Sequence, residues 1–305
     1  MGYGTWSSDA FDHLKDTRKT KTRDEIFTSK ETSKNMTPKG LVFRESRDSV
    51  EHPNSVPIMV FLDVTGSMGE IPEILVKQKL GALMETVLHH GVADPQVLFG
   101  AIGDQYSDHS PLQIGQFESA TKELDHWLTD IELEGNGGPW GRESYLLAWL
   151  AAARHTSIDA FEKRNMKGFL FTIGDERTHL EFNAPEAKKI MGYGQAENMS
   201  ADQLLKEAQR MYNVFHIHVK HGGGSEESAV AEEWKDMLKQ NLIILDDYNL
   251  VAETIATTVA VVSGADKKKV LDSFDKSIAS TVSTALAHVH SGTGLSKTDS
   301  GVIKL

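Results

Sequence analysis

The 305-residue sequence contains no cysteine. This excludes disulfides and cysteine-ligated zinc sites, and it suits a reducing cytoplasm, where we expect the protein to act. No apolar run approaches the roughly 20 residues of a transmembrane helix, and the N-terminus lacks the apolar core of a secretory signal. The net charge of −12 disfavours nucleic acid as a partner, because nucleic-acid-binding proteins usually carry a basic face.

Three motifs of known chemistry are also missing. The phosphate-binding pattern G-x-x-x-x-G-K-[ST] is absent, and so is the nucleophile elbow G-x-S-x-G. The sequence DVT resembles the start of the Asp-x-Asp-x-Thr motif of haloacid-dehalogenase phosphatases, but Thr65 occupies the position of the second carboxylate. P-loop NTPases, serine hydrolases and aspartyl phosphatases are therefore disfavoured as function classes.

The most informative stretch is residues 56–68, with the sequence VPIMVFLDVTGSM. Its first half is a continuous apolar run, which is typical of a strand buried on both faces of a parallel sheet. Asp63, Thr65 and Ser67 follow at the carboxyl end of this strand, where ligands of such sheets bind. One carboxylate and two hydroxyls are hard oxygen donors, so they favour Mg²⁺ or Mn²⁺ over a soft metal.

Predicted strands and helices alternate along the rest of the chain. Beyond the amphipathic helix that follows residue 68, we predict strands at 95–104, 167–176, 213–220 and 241–245, and helices at 119–133, 145–155, 201–212, 230–239 and 249–262. Such alternation predicts an α/β fold, with a Rossmann-like, doubly wound and mostly parallel sheet covered by helices on both faces. Asp104 and Asp175 lie at the ends of two of these strands.

Residues 63–68, DVTGSM, resemble the D-x-[ST]-G-S-M signature of von Willebrand factor A (VWA) domains, which begins their metal-ion-dependent adhesion site (MIDAS). The resemblance extends to about residue 262 and implies the VWA fold. It implies that Asp63, Thr65 and Ser67 bind Mg²⁺, or else Mn²⁺ or Ca²⁺. It also implies that Asp175, in GDE where the family usually has an SDG-like turn, is the second aspartate of the site.

The sequence departs from this family in the next loop. Many VWA domains supply a loop threonine to the metal, but residues 130–155 contain none. The stretch GNGGPWGRES is more similar to a branch with GG…PE before the helix, which makes Glu143 the candidate replacement, with Ser144 and Asn136 behind it. Asp104, in an element similar to the "strand then YRDH" of one branch, is either a turn residue or a carboxylate at the metal.

The flanks predict a three-part organisation. Residues 1–54 are polar and locally basic, which predicts a partly disordered N-terminal arm with a short edge strand at 40–45. Residues 55–263 form the predicted VWA domain. Residues 264–305 predict a helix near 270–287 and a flexible polar tail. Within the domain, His216 and His218 share one face of a strand, and structural roles are favoured over a zinc pair because spacing places no third ligand.

The resemblance implies a non-enzymatic, intracellular adaptor whose partner is another protein. An acidic side chain of that partner would complete the metal shell. One alternative is a metal-dependent hydrolase that uses the same carboxylates, with His179 or His109 as the general base. The other is a structural subunit that forms homo-oligomers by exchanging its terminal arms.

Overall fold

The computed structural model describes residues 4–135, 141–194, 196–220 and 225–290, and of Ser67, Ser225 and Glu226 it describes the backbone alone. Its centre is a six-stranded sheet. In chain order the strands are β1 (Val56–Asp63), β2 (Pro95–Ile102), β3 (Leu112–Ile114), β4 (Gly168–Gly174), β5 (Tyr212–Val219) and β6 (Leu242–Leu245). Their spatial order is β3-β2-β1-β4-β5-β6, and every neighbouring pair is parallel except β2 and β3. This is the strand order of a doubly wound sheet.

Helices cover both faces of the sheet. They are α1 (Ser8–Arg18), α2 (Arg23–Ile26), α3 (Glu70–Ile74), α4 (Leu80–His89), α5 (Thr121–Thr129), α6 (Leu146–Arg154), α7 (Asp159–Arg164), α8 (Ala184–Met191), α9 (Ala201–Met211), α10 (Ser225–Leu238), α11 (Val251–Val262), α12 (Lys267–Leu271) and α13 (Lys276–Ala285). One core lies between the sheet and α1, α4, α5 and α11, and the other between the sheet and α6, α8, α9 and α10. The predicted fold class is confirmed.

Side chains of the central strand alternate between these two cores. Val60 and Leu62 of β1 pack into the first core, whereas Met59 and Phe61 pack into the second. Successive residues of a strand point to opposite faces, so a strand with a helical layer on each side is buried at successive positions and is mostly apolar. This is why β1 is a continuous apolar run, and its burial fixes the position of Asp63 at its end.

The helix predicted after residue 68 is interrupted. A 3₁₀ turn (Gly66–Gly69) leads into α3, and a π-helical segment (Leu75–Lys79) separates α3 from α4. Lys79 forms an ion pair with the buried Glu253 of α11 at 2.5 Å. The C-terminal helix predicted near 270–287 is likewise two helices, α12 and α13. The antiparallel edge strand β3 was not predicted, and the predicted polar tail after residue 290 lies outside the described residues.

The described part of residues 1–54 differs from the solvated arm expected from its composition. Phe11 and Met36 are buried in or beside the first core, and Arg18 forms an ion pair with Asp125 of α5. The predicted edge strand is Arg44–Ser46, which pairs with Thr156–Ile158 and not with the central sheet. The expectation was wrong because a few well-spaced apolar side chains suffice to dock a polar segment.

Among the helices of the described ranges, none is both long enough and apolar enough to cross a membrane.

Candidate metal centre

The candidate site lies at the carboxyl edge of the sheet, between β1 and β4. The strand order reverses here, because the chain proceeds outward from β1 to β2 on one side and from β4 to β5 on the other. Open α/β sheets bind ligands at such a switch point. Asp63 is the last residue of β1, and Asp175 directly follows the last residue of β4. The topology therefore brings two of the predicted site residues together.

The Asp63 carboxylate is buried and accepts hydrogen bonds on both oxygens. Its Oδ1 accepts from the Thr65 backbone N–H at 2.8 Å and from the Thr65 hydroxyl at 2.5 Å. Its Oδ2 accepts from the Tyr145 hydroxyl at 2.5 Å. Gly66 continues the turn with a φ of +42°, a backbone conformation that glycine adopts at little cost. The backbone of Ser67 lies in the 3₁₀ turn that follows, and its side chain lies outside the description.

Burial raises the pKa of Asp63 from 3.8 to about 7, because the ionised carboxylate loses its hydration. The hydrogen bonds from Thr65 and Tyr145 lower the pKa in part, whereas the negative charge of Asp175 raises it further. Near neutral pH the two carboxylates thus repel each other in a poorly hydrated place. A bound cation would reverse this effect and favour the ionised form of both.

Tyr145 is a site residue that was not predicted from the sequence. It is fully buried immediately before α6, and burial together with the charges of Asp63, Asp175 and Glu143 raises the pKa of its hydroxyl well above the usual value. The one available signal was a tyrosine at the start of an otherwise apolar helix, since a buried tyrosine hydroxyl usually has a hydrogen-bond partner.

Gly174 makes the close approach of these groups possible. A Cβ atom at this position would lie 1.9 Å from the Tyr145 hydroxyl oxygen and 2.8 Å from Oδ2 of Asp63. Neither distance is sterically allowed. The last residue of β4 therefore has to be glycine for the hydroxyl to reach the carboxylate.

Glu143 lies near this cluster, but not at the start of a helix. It belongs to a short strand, Arg142–Glu143, which pairs in parallel with Arg177–Thr178. Its side chain is buried and contributes to the field at the Tyr145 hydroxyl. Ser144 instead accepts a hydrogen bond from the Gln105 N–H at 2.8 Å, and Asn136 lies outside the described residues.

Asp104 forms a separate hydrogen-bond cluster. Its Oδ1 lies 2.9 Å from Nε2 of His179 and accepts from the Tyr106 N–H at 3.1 Å, and its Oδ2 accepts from the Ser107 hydroxyl at 3.0 Å. Burial opposes ionisation, but these hydrogen bonds and the nearby imidazole lower the pKa of Asp104 overall. The structure gives Asp104 a clear role in orienting His179, and its contact with a metal stays a prediction.

The remaining predicted histidines have other surroundings. His109 lies between Glu132, at 2.8 Å, and Glu134, at 2.7 Å, beside a cavity of about 420 Å³ that the motif residues Val64 and Gly66 also line. His216 is fully buried, stacks on Trp234 with ring centroids 3.6 Å apart, and shares a hydrogen bond with Thr172. Burial lowers the pKa of His216 well below its usual value, which agrees with a structural role.

The donor chemistry of the site fits a hard divalent cation only if hydroxyl groups contribute. In the ranges 4–135, 141–194, 196–220 and 225–290, no three His, Asp or Glu side chains are grouped so that they could hold a metal ion. The switch point instead combines two carboxylates, Asp63 and Asp175, with the Thr65 hydroxyl. This hydroxyl donates its proton to Asp63, so its oxygen lone pairs remain for a cation.

No protein-family model and no curated protein matches the sequence. Solved structures similar to the chain include the pilus adhesin SpaC from Lactobacillus rhamnosus GG in its open conformation, at 9% identity and a TM-score of 0.43, over 76% of this chain and 34% of the adhesin chain. A von Willebrand factor type A protein from Catenulispora acidiphila is 15% identical, with a TM-score of 0.35 over 68% of this chain and 42% of its own. Proximal thread matrix protein 1 from the mussel byssus is 11% identical, with a TM-score of 0.41 over 70% and 47%.

The chain thus spans less than half the length of each of these proteins. Because these identities and TM-scores are low, the fold is assigned from the strand order of the sheet.

Proposed function

We propose that this chain is a protein-binding module of the von Willebrand factor A type that recognises its partner through a divalent cation. The observation that carries the proposal is the position of Asp63 and Asp175 at the switch point of the sheet, with the Thr65 hydroxyl beside them. These residues include the start of the motif that the sequence shares with MIDAS sites. We propose that the chain acts in the cytoplasm by binding a partner and that none of its residues is catalytic.

The proposed ligands are Asp63, Thr65, Ser67 and Asp175, with Glu143 in place of the loop threonine of many VWA domains. Mg²⁺ suits this set best, because it binds few carboxylates and keeps several waters, and Mn²⁺ or Ca²⁺ shares its preference for oxygen. A cation held by these residues would supply the positive charge that attracts an anionic group of the partner. The raised pKa of Asp63 supports this proposal, since a cation would offset the cost of ionising a buried carboxylate.

The surface near His179 supports a protein as the partner. Tyr106 and Leu180 are 42% and 58% exposed, which makes them two of the few large hydrophobic side chains exposed in the described chain. Tyr106 contacts the ring of His179 edge-on, with centroids 5.0 Å apart. Tyrosine is one of the residues that most often dominate the binding energy of protein interfaces, so Tyr106 is the proposed anchor and Leu180 adds apolar surface beside it. We propose that a partner carboxylate completes the metal shell while its apolar neighbours contact Tyr106 and Leu180.

The pair of Asp104 and His179 keeps one alternative open. A carboxylate that orients an imidazole is also how a general base is held, so the same residues could serve a metal-dependent hydrolase. Turnover of a panel of phosphoesters and peptides with Mg²⁺ or Mn²⁺, lost in His179→Gln, would favour that alternative. A silent panel would favour the binding module.

Thermal unfolding with Mg²⁺, Mn²⁺, Ca²⁺ or chelator tests the cation site. A ligand of the folded state stabilises it by about 2.7 kcal/mol at a concentration of 100 Kd, so we expect the wild type to gain stability and Asp63→Ala to gain none. Asp202→Ala removes an exposed carboxylate that pairs with Lys206 on the surface of α9, and this control should respond like the wild type. No gain with any of the three ions, or a gain that persists in Asp63→Ala, would contradict the proposal.

Acetate tests the open position of the cation. If a partner carboxylate completes the shell, acetate should raise the unfolding temperature in the presence of Mg²⁺ and not in the presence of chelator. An equal effect of acetate under both conditions would show that it binds elsewhere.

A further inference from the structure

A second cavity lies at the amino edge of the sheet, opposite the candidate metal centre. Its volume is about 370 Å³, within the roughly 300–1,000 Å³ of small-molecule pockets. It opens where β1 and β4 begin, so it uses the other ends of the two strands that lead to Asp63 and Asp175. Much of its lining is apolar, with contributions from Val56, Pro57, Val92, Ala160, Phe169 and Val262.

Three charged side chains line this cavity, and two of them have partners within the protein. The Arg164 guanidinium binds the Asp48 carboxylate and the Ser55 carbonyl oxygen. The Asp94 carboxylate accepts from the Asn54 N–H at 2.9 Å and lies 3.5 Å from Nδ1 of His52. Lys167 differs from both, because its ammonium has no ion pair and no hydrogen bond in the described part of the chain.

Lys167 is half-buried and lines the cavity. Burial lowers its pKa, because the ammonium loses water without gaining a carboxylate in exchange. A charge in such a place costs free energy unless an anion pairs with it. Among the described residues that line this cavity, Lys167 is thus the one unpaired cation, and it lies beside a largely apolar wall.

We propose that this cavity binds a small aliphatic carboxylate, with the acyl chain on the apolar wall and the carboxylate on the Lys167 ammonium. A single unpaired cation matches the single charge of a carboxylate, whereas a phosphate carries more charge and takes several strong donors. Each methylene that leaves water contributes about 0.8 kcal/mol, so the chain supplies affinity and Lys167 supplies orientation. Neither Lys167 nor the apolar wall of the cavity belongs to the candidate metal centre, so the inference does not depend on the proposed cation.

Isothermal titration calorimetry of the full chain with octanoate tests this proposal. We expect saturable binding that weakens about tenfold in Lys167→Met, which is what one charge-assisted hydrogen bond of ordinary strength supplies. Lys122→Met removes an exposed lysine of α5 that does not line the cavity, and it should bind octanoate like the wild type. Octan-1-ol lacks the charge, so its affinity should be the same in Lys167→Met as in the wild type.

Two further variants locate the ligand. Val92→Phe fills the cavity and should abolish binding of both octanoate and octan-1-ol, with folding checked by circular dichroism. Asp63→Ala should leave octanoate binding unchanged, so failure of the metal proposal and failure of this one are distinguishable. Absence of saturable octanoate binding, equal affinity in Lys167→Met and Lys122→Met, or full binding to a folded Val92→Phe would each overturn the proposal.

Discussion

Replacement of Asp63 by asparagine should stabilise the metal-free protein above neutral pH. Asparagine keeps an oxygen to accept from Thr65 and an amide that can donate to the Tyr145 oxygen, but it carries no charge. The wild-type carboxyl ionises at about 7 in the folded protein and near 3.8 when it is exposed. This difference of about three pKa units corresponds to about 4 kcal/mol, at roughly 1.36 kcal/mol per unit.

The sign of the effect follows from proton binding. Between pH 3.8 and 7 the folded wild type holds a proton on Asp63 that the unfolded chain has lost, so its stability falls as the pH rises through this window. Asp63→Asn has no such proton to lose. Near pH 4 the two proteins should therefore have similar stability, and at pH 8 in chelator the variant should be the more stable by up to about 4 kcal/mol.

Urea unfolding at pH 5, 6, 7 and 8 in chelator measures this difference. Asp202→Asn makes the same charge change at an exposed position and should follow the wild type at every pH. Saturating Mg²⁺ at pH 8 should then stabilise the wild type and leave Asp63→Asn unchanged. If Asp63→Asn differs from the wild type by the same amount at pH 5 and pH 8, or is the less stable at pH 8 in chelator, the inference that burial raises the pKa of Asp63 is refuted.

Three other substitutions test separate parts of the structure by urea unfolding. Gly174→Ala should cost about 2 kcal/mol or more, because its Cβ would lie 1.9 Å from the Tyr145 hydroxyl oxygen, and an unchanged midpoint would contradict the packing. Burial lowers the pKa of His109, but the charges of Glu132 and Glu134 outweigh this effect and raise it above 6.5. The interaction of His109 with these glutamates therefore stabilises the folded protein below pH 6.5, and this stabilisation is lost as the pH rises through the pKa of His109 in the folded protein. His109→Gln should flatten that pH dependence, and an unaltered profile would argue against the cluster. Phe11→Ala should cost about 3 kcal/mol if the N-terminal segment is docked, whereas Phe43→Ala, at a side chain 53% exposed, should cost little.

The fold was predictable where burial determines the sequence. Strands β1, β2, β4 and β5 lie within a few residues of their predicted positions, because a strand between two helical layers is buried on both faces and is mostly apolar. The short edge strand β3 has three residues, which are too few to show the alternation of apolar and polar residues that predicts a strand. The N-terminal segment was misjudged for a related reason: composition averages over a stretch and hides single side chains such as Phe11, whose burial depends on where α1 meets the core.

The site was predictable to the extent that strand ends determine it. Asp63 and Asp175 end adjacent parallel strands, so topology alone brings them together. Tyr145 lies on no strand but directly before α6, and its hydroxyl reaches Asp63 only because Gly174 leaves room for it. This hydroxyl donates a hydrogen bond to Oδ2 of Asp63 at 2.5 Å. The oxygen donors of the proposed cation site are thus held by a group that the sequence motif does not contain, and metal affinity should depend on Tyr145 as well as on the motif.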